Sequence, residues 1–421
     1  MPSIAKEDHT MSITILEFGK LWDGVSDAIA GPGEILVKDG VIQEVGATVT
    51  APKDAARIDL SDRTVMPGLI DCHVHITCRP EVTANFWGLG AGYKALLGAE
   101  ALKVHLLNGF TTVRDCGDMD VHGYTVRDVK LALEKGIIEG ARLITSGHMI
   151  SARGGHMDAT PLLSTDCQPW QNCLADGPDE IRRIVREEIK WGAEWIKFAP
   201  SGGFSTPADD PVQVSYTQDE MDTLVVTARQ FGRSVAAHLV GNEAIRMSVL
   251  AGVRSVEHGS MATSETFRLI EEKGVFVVPT QFAGTRSARF AEDEAYWESS
   301  GMTPYCKIKV RKYRKELLEA AAILAKSSVK IAFGTDLGIL SYAFNGAVEF
   351  GEMVINGIAP IRALRAATSV AAELLQRDDL GVLAPGKTAD IIAVPGNPFT
   401  DITVMEKVNF VMKAGKVYKS A

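Results

Sequence analysis

Val65-Met66-Pro67-Gly68-Leu69-Ile70-Asp71-Cys72-His73-Val74-His75 is an apolar, strand-like run that closes on two histidines. In a strand, residues i and i+2 project to the same face. His73 and His75 therefore aim two imidazoles the same way from one rigid strand end. Two nitrogen donors held like this make half of a transition-metal site. Two polar residues that merely alternate at a strand end would read the same way, so the rest of the chain decides. Four more apolar runs each deliver one metal-competent or titratable residue to a loop. They are Trp195-Ile196-Lys197-Phe198-Ala199-Pro200, leading to Ser201-Gly202-Gly203; Ser234-Val235-Ala236-Ala237-His238; Arg254-Ser255-Val256-Glu257-His258-Gly259; and Lys330-Ile331-Ala332-Phe333-Gly334-Thr335-Asp336. One pattern used five times argues for one construction.

The middle of the chain alternates strand and helix patterns, which predicts βα units on a parallel sheet. Eight strand candidates lie near 66–75, 111–117, 141–147, 195–201, 234–240, 254–259, 275–280 and 330–336. Amphipathic stretches such as 178–191, 217–230 and 303–325 read as the helices between them. Eight such units predict an α/β fold, a (β/α)8 TIM barrel. An open doubly wound sheet is the alternative, but no strand is followed by a dinucleotide-binding glycine fingerprint. A barrel gathers its active site at the C-terminal mouth. His73 and His75 would come from strand 1, Lys197 from strand 4, His238 from strand 5, His258 from strand 6 and Asp336 from strand 8.

The two ends read differently. Glu34 to Lys38 and Val41 to Val45 flank Asp39-Gly40, a strong hairpin signal. Asp390 to Val394, Val408 to Met412 and Lys416 to Tyr418 are strand-like, with Ala414-Gly415 turning between the last two. The economical reading is a small β-sandwich built from both termini, 12–64 plus 381–421, around a barrel of 65–380. Residues 1–11 lack the apolar core of a signal peptide and read as a disordered extension. At 46% hydrophobic and 23% charged, the 421-residue chain has the composition of a soluble globular protein. A net charge of -9 speaks against a nucleic-acid partner, and no run approaches a membrane span. Cys72, Cys78, Cys116, Cys167, Cys173 and Cys306 form no CxxC pattern and read as reduced thiols of a cytoplasmic protein. Cys167 and Cys173 are the pair to watch in an oxidising setting.

Together these residues resemble the amidohydrolase superfamily of metal-dependent hydrolases, over essentially 13–418. The resemblance implies two divalent metal ions: His73, His75 and Asp336 serve one, His238 and His258 the other, and Lys197, carbamylated by CO2, bridges them. Asn108-Gly109-Phe110-Thr111-Thr112-Val113-Arg114-Asp115, Gly154-Gly155-His156-Met157-Asp158 and Ile196-Lys197-Phe198-Ala199-Pro200-Ser201-Gly202-Gly203 are similar to one branch. So is Phe333-Gly334-Thr335-Asp336. That branch holds prolidase-like Xaa-Pro/Xaa-Arg carboxypeptidases and ochratoxinase-type amidases. One departure stands out. The branch often carries His-x-His-Gly after strand 5, where this chain has His238-Leu239-Val240-Gly241. The ligand histidine is kept and the second, substrate-side histidine is absent, which bears on specificity.

Imidazole and carboxylate ligands suit zinc. An ammonium has no acceptor, so Lys197 bridges only as a carbamate, an anion with two oxygens. Such a site makes a hydroxide at neutral pH, and Asp336 can relay its proton to a leaving nitrogen. His156, on a glycine-rich loop after strand 3, is the next catalytic candidate; capping a backbone group is its plainer role. Arg153 is a candidate for a substrate carboxylate, although surface arginine is the default. Tyr216 is a candidate pocket residue just before the capping box Thr217 to Glu220. His105 reads as helix packing, His122 as a loop residue and His148 as support behind the site. Phe86, Trp87, Phe282, Phe290, Tyr296 and Trp297 lie on loops that either bind an apolar substrate moiety or pack down. The expected function is hydrolysis of an amide or peptide-like C–N bond in a small-molecule substrate: an N-acyl amino acid, a dipeptide or an aryl amide. Alternatives are a cyclic amide, urea or carbamate hydrolase, or a mononuclear deaminase, which does not need Lys197. A non-catalytic metal-binding subunit is disfavoured because all six ligands are present. Superfamily habit suggests a homo-oligomer.

Overall fold

The computed structural model describes residues 13–80, 88–120, 122–158, 160–162, 165–166, 171–300, 302–341 and 345–420. The expected N-terminal extension, Phe86, Trp87 and Cys167 lie outside these residues. Seven strands form one mixed sheet: β1 (Ile13–Leu21), β2 (Gly33–Lys38), β3 (Val41–Gly46) and β4 (Ala56–Pro67) from the first end, with three from the other. Eight further strands follow in the middle: β5 (Leu69–Val74), β6 (Phe110–Asp115), β7 (Arg142–Thr145), β8 (Met149–Ser151), β9 (Trp195–Ala199), β10 (Ser234–Leu239), β11 (Ser255–His258) and β12 (Phe276–Val278). The remaining three are β13 (Ile391–Pro395), β14 (Phe410–Lys413) and β15 (Lys416–Lys419).

The sheet order β15-β14-β13-β4-β1-β2-β3 unites both termini. Its hydrogen bonding is that of one continuous sheet. Alternating residues, among them Leu16, Phe18, Ile35, Val37, Ile42, Ile391, Phe410 and Met412, bury one face. Asp39-Gly40 and Ala414-Gly415 both turn with left-handed φ, as two-residue hairpins require. The two turns meet: a Cβ on Gly40 would stand 2.8 Å from the Ala414 carbonyl oxygen. The sheet is thus curled until its two hairpin tips touch.

The deciding run of sequence is two strands and not one. Val65, Met66 and Pro67 pair with Ala393, Ile392 and Ile391 in the terminal sheet. Gly68 then donates its N–H to the Asp390 carbonyl at 2.8 Å, and a Cβ there would run into Thr111. Only from Leu69 does the chain enter the parallel sheets, whose orders are β5-β6-β7 and β12-β11-β10-β9-β8. The strand expected near 330–336 forms no regular ladder. It makes isolated bridges, Ile331 to Val277 and Leu337 to Val74. Its Phe333 carbonyl accepts from Cys72 N–H at 2.8 Å, and Asp336 N–H donates to the His73 carbonyl at 2.8 Å. Gly334 lies so close that a Cβ would run into Val278 and stand 2.8 Å from His73 Cβ. That squeeze, and a left-handed Asp336 (φ 61°), interrupt the ladder.

Helices Gly177–Lys190, Gln218–Gln230 and Pro304–Lys326 match the amphipathic stretches. The Thr217/Glu220 capping box closes the second of them. Their apolar faces, with Ile184, Val185, Leu224 and Val225, bury against Ile196, Phe198, Val235 and Ala237 of the sheets. Among the described residues no helix is long and apolar enough to cross a membrane.

Candidate metal centre

The strand ends bring the six sequence-predicted ligands into one neighbourhood. His73 Nδ1 donates to Glu257 Oε2 at 2.7 Å, and His75 Nδ1 to the Gly117 carbonyl at 3.1 Å. With each Nδ1 turned to an oxygen acceptor, each Nε2 carries the lone pair in the neutral ring. Those two atoms lie 3.5 and 3.6 Å from Asp336 Oδ1. His258 is fixed by a 2.7 Å bond between Nδ1 and Thr280 Oγ1, and its Nε2 lies 3.0 Å from His238 Nδ1. Ligand atoms of His73, His258 and Asp336 all lie within 4.8 Å of one another.

Lys197 is fully buried among them. Its Nζ has no hydrogen-bond partner, nor has the buried Nε2 of His238. A buried polar group without partners costs several kcal/mol, and a charged one more. The donor set therefore fits divalent metal ions, with the Lys197 terminal atom buried beside it and without a hydrogen-bond partner.

Burial holds the His75 and His258 imidazoles down to about 3, the Lys197 ammonium adding to it. His73 and His238 are pushed well down by burial first, then by Lys197 and by His156 respectively. All four stay neutral, the ligating form. Burial lifts the Asp336 carboxyl to about 7, opposed by Lys197. His258 (φ 69°), Thr280 (φ 43°) and Asp336 (φ 61°) all adopt the left-handed region. Non-glycine residues held there cost of order 1–3 kcal/mol each and concentrate at functional sites.

A supporting layer lies beneath, which sequence reasoning missed. Arg114 donates to Glu257 Oε1 and to the Cys72 carbonyl, both at 2.7 Å, and its guanidinium lies 4.6 Å from the Trp195 ring centre. Asp71 accepts from His73 N–H at 3.0 Å and from Thr335 Oγ1 at 2.7 Å. The available signal was a charged residue inside each apolar strand: Asp71 two before His73, Arg114 in β6, and Glu257 one before His258.

His156 joins the site. Its ring stacks on His238 at 4.2 Å and 12°, and its Nδ1 lies 3.0 Å from Asp209 Oδ2. Arg153 and Tyr216 do not. Arg153 is exposed and pairs with Asp176 and Glu180. Tyr216 is core, its hydroxyl donating to the Ala175 carbonyl at 3.0 Å. His148 is buried against Glu188 at 2.9 Å, His105 packs edge-on to Phe110, and His122 lines a surface groove beside Trp191. Of the loop aromatics, Trp297 packs with Ala288, Val310 and Leu317, and Phe282 with Leu337 and Leu340. Glu349 anchors that loop, accepting the Gln281 and Phe282 N–H groups at 2.6 Å each. These two rings pack the loop down.

A cluster of candidate metal ligands at the ends of parallel strands, framed by a sheet from both termini, defines the class. The chain belongs to the amidohydrolase family, whose profile matches residues 64–418. Ochratoxinase from Aspergillus niger is 30% identical over 448 residues, 99% of this chain and 89% of that protein. The crystal structure of A. niger ochratoxinase has a TM-score of 0.83, covering 97% of this chain and 96% of the other at 28% identity. A Xaa-Pro dipeptidase crystallised with methionine in its active site has a TM-score of 0.88 at 32% identity, covering 97% of this chain and 100% of the other.

Proposed function

We propose that this chain is a metal-dependent amidohydrolase that cleaves an amide or peptide-like C–N bond. The buried, partnerless Nζ of Lys197 amid four neutral histidines carries the reading. It is what a carbamylated bridge between two metals would require. In this reading 65–380 is a (β/α)8 barrel closed through 331–337, and 12–64 with 381–421 is its β-sandwich. His73, His75 and Asp336 would hold one ion and His238 and His258 the other, with a carbamylated Lys197 as a ligand shared between them. The ions, zinc by donor chemistry, would supply an activated water and a Lewis acid for the scissile carbonyl. Asp336 would hold a proton at its carboxylate and pass it towards the leaving nitrogen. Glu257 and Thr280 keep the His73 and His258 rings turned to the site. His156 meets the substrate above His238.

The substrate class is an N-acyl amino acid, a dipeptide or an aryl amide. Similarity to an ochratoxinase and to a Xaa-Pro dipeptidase supports this choice. A cytoplasmic homo-oligomer is the matching assembly. Arg153 and Tyr216 have no part in the proposed site, given their partners.

Metal analysis and hydrolysis assays test the reading together. The protein would be assayed on N-acyl amino acids, Xaa-Pro dipeptides, aryl amides and ureas, beside Lys197→Ala. Expected are about two metals per chain, amide cleavage lost in the variant, and a carbamate carbon resonance from labelled bicarbonate that the variant lacks. One metal with activity intact in Lys197→Ala would reject the bridge and favour a mononuclear deaminase.

A further inference from the structure

The loop after β9 is tied to a helix far along the chain. Lys309, on the helix Pro304–Lys326, spends all three ammonium donors on that loop. They go to the Gly203 carbonyl at 2.9 Å, the Thr206 carbonyl at 2.6 Å and Asp209 Oδ1 at 2.8 Å. One residue on, Asp210 takes Lys312 at 2.8 Å and the Tyr313 hydroxyl at 2.5 Å from the same helix. Asp209 is buried. Besides Lys309 it accepts from Gly203 N–H at 2.7 Å and from Thr206 Oγ1, and its Oδ2 faces His156 Nδ1 at 3.0 Å.

A clamp that only held the loop would need Lys309 and the backbone. Here the carboxylate also turns to an imidazole that lies flat on a predicted ligand, His238. A carboxylate accepts only, so Nδ1 is the ring's donor, and in the neutral ring the lone pair is then on Nε2. The ring has little room to turn. A Cβ on Gly203 would run into it, so the bare glycine backbone forms one wall and His238 another. An imidazole fixed by a buried carboxylate is the arrangement that selects a tautomer in acid–base sites.

We propose that Asp209 and Lys309 are positioning residues that hold His156 in its Nδ1–H form with Nε2 as the nitrogen offered to substrate. Through them the helix Pro304–Lys326 sets the geometry of a residue on the loop after β8. The effect on turnover rests on the hydrolase reading above; the state of the ring does not.

Ring-nitrogen NMR on zinc-loaded protein labelled at histidine tests the ring directly. The His156 signals are assigned by their loss in His156→Gln. The wild type is expected to show a protonated Nδ1 and a bare Nε2, and Asp209→Asn and Lys309→Met to move the population towards Nε2–H. With zinc content unchanged, Asp209→Asn is expected to lower kcat for the best amide about 10–100-fold, the range for lost supporting partners. Asp209→Asn with His156→Gln should be no slower than His156→Gln alone, and Lys309→Arg should restore most of the rate lost in Lys309→Met. An Nε2–H ring in the wild type, or additive losses in the double variant, would overturn the proposal. A wild type with the Nδ1–H ring that cleaves no amide sinks the hydrolase reading and leaves the dyad established.

Discussion

Asp336 is both a proposed ligand and the carboxylate that lies beside His73 Nε2 and His75 Nε2, at 3.5 and 3.6 Å. Replacing it with Asn keeps the shape and an oxygen donor but removes the proton acceptor. Asp336→Asn is expected to lower kcat by about 10²–10⁴ with a much smaller change in KM, read by steady-state kinetics on metal-loaded protein. Glu257 makes a different case. It lies between His73 and Arg114, all three buried. Glu257→Ala leaves a buried guanidinium unpaired, so about 3–5 kcal/mol of stability should be lost, checked by denaturant unfolding. The six candidate ligands were legible in the sequence because each lies in, or at the end of, an apolar run that leads to a loop. Glu257, Thr280 and Asp209 were not, because their partners come from other strands and loops. Arg153 shows the reverse: its loop position suggested a pocket, yet the chain turns at Gly154 (φ 72°) and the side chain is taken by Asp176 and Glu180.

Elements were read more easily than their boundaries. Periodicity placed seven of the parallel strands and the helices between them but not the short β8 (Met149–Ser151), and hairpin chemistry placed both left-handed turns. Apolar continuity hid the break at Gly68, since a strand of one sheet runs straight into a strand of another without a polar residue between. Gly334 hid likewise: nothing local says that Val278 and His73 crowd it. Gly334→Ala is therefore expected to cost about 1–3 kcal/mol through overpacking and to lose metal, as shown by thermal melting and metal analysis. The helix Gly177–Lys190 carries a pH-sensitive tie. Burial works against charge on His148, but Glu188 beside it outweighs this and raises the imidazole to about 9. A pKa raised in the folded state stabilises fully below the unfolded value of about 6.5 and loses that stabilisation as pH rises through about 9. Unfolding free energy should thus fall between these values in the wild type and fall less in His148→Gln, as measured by urea titrations along the pH series.

At the scale of the molecule, both ends meet in one sheet because β13 pairs with β4, the strand that leads into β5 through Gly68. A sequence read from left to right shows two β-rich ends but not which strands join them. The joint is small and specific. Asp390 accepts from Arg142, the first residue of β7, and from Ala414 N–H at 2.8 Å, while its carbonyl takes Gly68 N–H at 2.8 Å. One carboxylate thus connects the terminal sheet to the parallel strands that carry the candidate metal ligands. If this contact couples the two, they unfold together in the wild type, and backbone amides of β13 and β10 share one opening free energy. Asp390→Ala strands Arg142 and frees the Ala414 turn. Hydrogen exchange at rising denaturant is then expected to show β13 and β14 opening before β9 and β10. The same simultaneous opening in both proteins would place the coupling elsewhere, in the covalent run from β4 to β5.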